Sequence, residues 1–245
     1  MPFTITFTQT AGKNKRNQDA IFNGKAVYQY KNKTTESLVM DQSQVILGVM
    51  DGVLTSPFAH KASLFWAKKL KYSTALSSQW IRNTHQQFCH EFTGQYYGST
   101  TTLVAAQIHR TGECHIFNIG DSRAYKITAQ GEWQQLSHDH IMLDEFSHNE
   151  NKQYAKLYYC LSDFLTADYL ESEFKIHQVK TRLNKDETLL LCSDGLTDFI
   201  PDKIRYKIWC SYHTIEERLT AFKRYIKKLD WWDDFSVICC QLQDE

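Results

Sequence analysis

A chain of 245 residues with 42% hydrophobic and 13% aromatic content has the material for one large buried core, which excludes a disordered polymer. Its 28 basic residues balance 28 acidic ones, so no global field draws in a polyanionic nucleic acid. No apolar run reaches 18 residues and Met1 to Thr10 lacks the basic and apolar regions of a signal peptide, so we expect one soluble, cytoplasmic domain over residues 1–245, with no membrane partner.

Thr4 to Thr10 alternates apolar and threonine side chains and reads as an opening strand, followed by a polar loop from Gly12 to Asp19 and a short apolar segment. Lys31 to Gln44 reads as a polar hairpin or surface loop, and Val45 to Met50 as a strand ending at Asp51-Gly52. Apolar residues at helical spacing, among them Ala62, Phe65, Trp66 and Leu70, predict a helix over Pro57 to Gln79, with another over Ile81 to Phe92. The period then changes. Thr101 to Ile108, Cys114 to Ile119 and Ala124 to Ile127 read as antiparallel strands joined by turns at Arg110-Thr111-Gly112 and Gly120-Asp121. Lys152 to Asp186 is too mixed to assign. Thr188 to Cys192 reads as a strand, Lys203 to Ser211 and Thr214 to Leu229 as helices, and Phe235 to Leu242 as a closing strand. Without a repeated βα period, a layered α+β domain with helices outside paired sheets fits better than a barrel or a doubly wound sheet.

The 7 cysteines include no CxxC pair and read as free thiols, and adjacency on a strand points Cys239 and Cys240 to opposite faces. Trp231-Trp232 reads as core or edge packing rather than a base-stacking platform.

The segments VILGVMDG, LLLCSDG and WWDDFSVI set Asp51, Asp194 and either Asp233 or Asp234 at strand boundaries, and NIGDSRAY adds Asp121. Carboxylates that converge repel one another unless protonated, paired or neutralised, so a hard divalent cation is a sensible resident. Oxygen donors favour magnesium or manganese over a thiolate zinc site, and two ions sharing a water suit phosphomonoester chemistry.

The ordered series NQDA (17–20), GVMDG (48–52), GST (98–100), NIGDSRAY (118–125), LSHDH (136–140), CSDGLTD (192–198) and DDFSVI (233–238) resembles the metal-dependent protein serine/threonine phosphatases of the 2C type, in a compact bacterial form. The resemblance implies a four-layer αββα sandwich, with two central antiparallel sheets flanked by helices and metals at one edge. It implies two principal Mn2+ or Mg2+ ions and a weaker third. Asp51 would bridge the pair, the Gly52 carbonyl would bind one ion, Asp194 and Asp233 the other, and Asp121 with Asp194 the third. Asp51, Asp194 and Asp233 would then carry catalysis, through direct attack of the bridging water on a phosphoserine or phosphothreonine. A phosphorylated protein is the implied substrate and a serine/threonine kinase the implied counterpart, with the chain a monomer.

The pattern also departs from the family. Asn14 stands where the family has a phosphate-binding arginine, which leaves Lys13 and Arg16 nearby and Arg16 as the candidate phosphate contact. Gln18 replaces a glutamate, Asp234 an asparagine, and Val53 a histidine that some members use as general acid. Gln18, Asp19 and Asp234 are expected to support the ligands from behind. His138 and His140 read as parts of a turn, ahead of an altered loop from Ile141 to Asn151. The alternative function is a catalytically weak, phosphopeptide-binding regulatory domain of the same fold.

Overall fold

The computed structural model describes residues 2–13, 15–30, 32–53, 55–142 and 160–243. Asn14, Leu54 and the part of the altered loop beyond Met142 lie outside the described residues.

Two six-stranded antiparallel sheets form the centre. The first contains β1 (Phe3–Thr10), β4 (Asn32–Met40), β9 (Arg123–Ile127), β10 (Trp133–Gln135), β13 (Thr188–Cys192) and β14 (Phe235–Leu242), in the order β10-β9-β13-β14-β1-β4. The second contains β2 (Ala20–Phe22), β3 (Val27–Tyr28), β5 (Gln44–Met50), β7 (Leu103–His109), β8 (Glu113–Ile119) and β12 (His177–Arg182), in the order β12-β8-β7-β5-β2-β3. A small ladder pairs β6 (Thr100–Thr101) with β11 (Leu165–Thr166).

Strand alternation explains the layering. Phe3, Ile5 and Phe7 of β1, Leu189 and Leu191 of β13, and Ile238 and Cys240 of β14 face Val45, Leu47, Val49 and Ile116 of the other sheet, closing a core between the two. The opposite face of the second sheet buries Ile46, Met50 and Phe117 under α1 (Ala59–Lys71) and α2 (Ser78–Glu91), around a fully buried Trp66.

The outer face of the first sheet sends Tyr125, Leu190, Val237 and Cys239 against a short α3 (Asp194–Thr197), α4 (Asp202–Ser211) and α5 (Ile215–Ile226). Thr214 and Glu217 form a reciprocal capping box that fixes the start of α5. The result is the expected αββα sandwich, and Cys239 and Cys240 do face different layers.

One expectation is corrected. Residues 32–40 are not a hairpin or surface loop but β4, a nine-residue edge strand paired with β1. Its exposed positions are Asn32, Thr34, Ser37 and Val39, and Lys33 and Glu36 interrupt the apolar positions between them, which hides the strand alternation. The unassigned stretch supplies β11 and β12, and the segment after Lys71 leaves the helix at Tyr72. Trp232 donates its indole N–H to the Ala11 carbonyl at 3.0 Å, whereas Trp231 is largely exposed and its ring meets Phe199 at 5.2 Å.

Candidate active site

Four segments deliver aspartates to one end of the sandwich. Asp51 leaves β5 and is fixed through its backbone. Its N–H donates to Thr102 Oγ1 at 3.1 Å, and its carbonyl accepts from Thr102 N at 2.8 Å and Thr101 Oγ1 at 2.7 Å. Gly52 passes close beneath: a Cβ there would lie 2.7 Å from the Gln18 carbonyl and 2.9 Å from the Ala59 backbone. No larger residue fits without moving the chain.

Asp121 sits in the β8–β9 turn, where Gly120 adopts φ 98°. Asn118 shapes that turn by donating to the Ser122 carbonyl at 2.8 Å, and the Ser122 hydroxyl meets Thr102 Oγ1 at 2.7 Å. Thr102 thus connects the Asp51 backbone to the Asp121 turn. His140 braces the same turn, its N–H donating to the Gly120 carbonyl at 3.1 Å and its Nδ1 accepting from Gly120 N at 3.3 Å. This agrees with a turn role for the LSHDH segment, whose Asp139 pairs with Arg123.

Asp194 opens α3 directly after β13. Gly195 permits a close approach of β14, since a Cβ there would run into the Asp234 carbonyl. Behind these residues Asp19 is wholly buried, with Oδ2 accepting from the Ser193 hydroxyl at 2.8 Å and Oδ1 without a donor. Gln18 Oε1 is likewise buried without a partner.

Electrostatics tie the carboxylates together. Asp51 lies close enough to Asp19, Asp194 and Asp121 for their charges to act on its carboxyl. Burial, reinforced by the charges of Asp19, Asp194 and Asp121, pushes Asp51 well above the carboxylate range. Burial, with Asp121 next in weight, does the same to Asp194. Burial and the Asp234 charge raise Asp19 to about 7, and burial raises Asp121 to about 6 with help from Asp139 and Asp198. Crowded carboxylates held this way lack positive charge.

Asp233 and Asp234 precede β14 and play different parts. Asp234 clamps the early loop, its two oxygens accepting from Gly12 N at 2.6 Å and Gln18 N at 2.7 Å. Asp233 Oδ1 accepts from Asp234 N at 2.5 Å and from the ammonium of Lys15. Arg16, the candidate phosphate contact, is exposed on the same loop, where its charge helps lower the pKa of His60 after the larger effect of burial. Lys13 turns away to the Asp230 carbonyl at 2.6 Å.

The predicted residues Asp51, Asp121 and Asp194 therefore come together around Asp19, with Asp233 beside Asp234 at the flank. Sequence reasoning missed Lys15, Ser193 and Thr102. The serine and threonine lay within or next to the quoted motifs, but no local signal marked Lys15.

The donor set fits a hard cation. Among the described residues no three His, Cys, Asp or Glu side chains close around one point, so an ion would have to draw the carboxylates together and complete its shell with backbone carbonyl and water. The unpartnered Asp19 Oδ1 and the raised carboxylates are the features such an ion would relieve.

A family model described as Protein phosphatase 2C matches residues 11–229, a stretch that stops short of Asp233. The serine/threonine phosphatase stp of Listeria monocytogenes is 30% identical over 167 residues, 65% of this chain and 66% of that protein. Its Listeria innocua counterpart is 32% identical over 143 residues, 58% of this chain and 56% of that protein. The matches thus span from just over half to about two thirds of these relatives' length. Among solved structures, the serine/threonine phosphatase Stp1 from Staphylococcus aureus superposes with a TM-score of 0.74 at 22% identity, covering 98% of this chain and 95% of that one. The Mycobacterium tuberculosis serine/threonine phosphatase PstP/Ppp gives a TM-score of 0.75 at 17% identity and covers 100% of both chains. At these identities the structural likeness is one of fold.

Proposed function

The chain belongs to the protein phosphatase 2C family, and from that premise we propose that it is a metal-dependent phosphatase acting on phosphoserine and phosphothreonine in proteins. The observation that carries this reading is the electrostatic proximity of Asp51 to Asp19, Asp194 and Asp121, with Asp51 and Asp194 partly open to solvent.

In this reading Asp51 would be shared between two Mn2+ or Mg2+ ions, the Gly52 carbonyl would serve one and Asp194 and Asp233 the other, and Asp121 with Asp194 would hold a weaker third. What such ions supply is a water of lowered pKa and neutralisation of the phosphoryl oxygens. The chain's own residues do the rest. Asp51 and Asp194 set the spacing of positive charge, and Asp19 holds Asp51 from behind. Gln18 lies beside the same recess as a neutral donor and acceptor, and Asp234 keeps the loop of residues 12–18 against β14. Arg16, at the exposed rim, meets the phosphate or the substrate flanking it.

No described helix is long and apolar enough to cross a membrane. A cytoplasmic phosphoprotein, phosphorylated by a serine/threonine kinase, is the substrate this chemistry calls for, and the chain is proposed to act on it as a monomer. The alternative of a weak phosphopeptide-binding domain is not favoured, since mutually repelling buried carboxylates cost stability that simple binding does not require.

The test is phosphate release from phosphoserine and phosphothreonine peptides by metal-stripped protein given Mn2+ or Mg2+. Restored turnover with either ion is expected. Folded protein that stays inert on several peptides with both ions would return the binding-domain reading.

A further inference from the structure

The early loop carries three cations whose placement differs. Lys13 donates to the Asp230 carbonyl and lies over the Trp232 ring at 5.8 Å, and Arg16 is exposed. Lys15 instead turns inward. Its ammonium contacts Asp233 Oδ1 and lies 3.7 Å from Asp234 Oδ2, with about a quarter of each of the Lys15 and Asp233 side chains exposed (23% and 26%).

This inward path is built into the loop. Asp234 pins the segment at both ends, through Gly12 N and Gln18 N. Gly12 leaves the space for the lysine stem, since a Cβ at that position would collide with Lys15 Cε.

A lysine ammonium is a compact point charge that fits where a cation fits, but it is attached to the chain. Resting on the metal-dependent reading above, we propose that Lys15 is a tethered cation of the metal centre: it occupies the Asp233 carboxylate, and a divalent ion gains that ligand only by displacing it. The ion held by Asp51 and the Gly52 carbonyl needs no such displacement. The centre is therefore asymmetric, with one tight position and one whose affinity is set by competition with the lysine. The same ammonium keeps positive charge beside Asp233 and Asp234 when that position is empty.

The experiment is calorimetric titration of the full metal-stripped chain with Mn2+, with bound manganese counted independently by electron paramagnetic resonance. Wild type is compared with Lys15→Met, which keeps a stem of similar length over Gly12 without the charge, and with Lys15→Gln as a second neutral variant should the first fold poorly. Wild type is expected to show one tight and one weak class of site. Both neutral variants are expected to tighten the weak class about tenfold or more and to leave the tight class within twofold, while Lys15→Arg stays near wild type. An unchanged weak class in neutral variants that are folded overturns the inference. So does a rise in KM for phosphopeptide with manganese affinity unaltered, which would make Lys15 a phosphate contact instead. If neither wild type nor variants bind manganese, the metal-dependent reading itself falls, and the inference with it. If wild type binds manganese and releases phosphate while the variants titrate identically, only the role of Lys15 falls.

Discussion

Ser193 donates its hydroxyl hydrogen to Asp19 Oδ2 at 2.8 Å, joining residues 174 positions apart beneath the acidic recess. The Ser193 Oγ in turn accepts from Ser236 N at 3.1 Å, so one buried hydroxyl serves the end of β13, the start of β14 and the loop before β2. Ser193→Ala would leave Asp19 with one donor fewer at full burial, a loss of about 1–3 kcal/mol. A fall in the urea midpoint at constant m-value is the expected result, and an unchanged midpoint would show that Asp19 finds another donor.

Asp51→Asn should move stability and function in opposite directions. Removing one of several repelling carboxylates is expected to stabilise the metal-free chain, while manganese affinity and turnover both fall, turnover by about a hundredfold or more, as for loss of a group stabilising the transition state. His138→Ala and His140→Ala should each cost less turnover, because His140 braces the Gly120 turn from outside the recess. Melting temperature, metal titration and steady-state kinetics on the three variants test the ranking. Turnover of Asp51→Asn near wild type would remove Asp51 from the centre.

The metal-free chain should lose stability as pH rises towards neutrality. Asp19 and Asp121 are held at about 7 and about 6, with Asp51 and Asp194 also raised. From the ordinary carboxylate range up to those values the folded chain retains protons that the unfolded chain has released. Unfolding therefore releases protons, and stability declines with increasing pH across that window. Saturating Mn2+ should flatten or reverse the slope, because the ion binds the ionised folded form. Melting curves from about pH 5 to about pH 8, with chelator or with manganese, would show it. Parallel slopes under both conditions would mean that the carboxylates and the ion do not share a site.

Arg16→Ala is expected to raise KM for phosphopeptide severalfold and to leave manganese affinity unchanged. The guanidinium is exposed, so its contribution is screened and should shrink as salt is added. Arg16→Lys should restore part of the effect, keeping charge without the planar fork. Saturation kinetics at two ionic strengths separate this from a structural effect, and an unchanged KM at low salt would leave phosphate recognition to other residues.

Much of this molecule is written locally. The apolar and threonine alternation of β1, the near-continuous apolar runs of β5, β7 and β14, the helical spacing of Phe65, Trp66 and Leu70, and the Asp-Gly pairs at strand ends are properties of short windows, because burial on one or both faces leaves its pattern in the sequence. That was enough for the layered class and for marking Asp51, Asp121 and Asp194 as candidates. The edge strand β4 escaped because Lys33 and Glu36 break up its apolar positions, and it becomes a strand through the ladder of β1. Only tertiary structure decided the partnership of Ser193 with Asp19, the clamping of the early loop by Asp234, and the choice of Lys15 over Lys13 or Arg16 as the cation turned towards Asp233. Those outcomes depend on how loops from opposite ends of the chain approach one another. Side-chain spacing along the backbone carries no record of that distance.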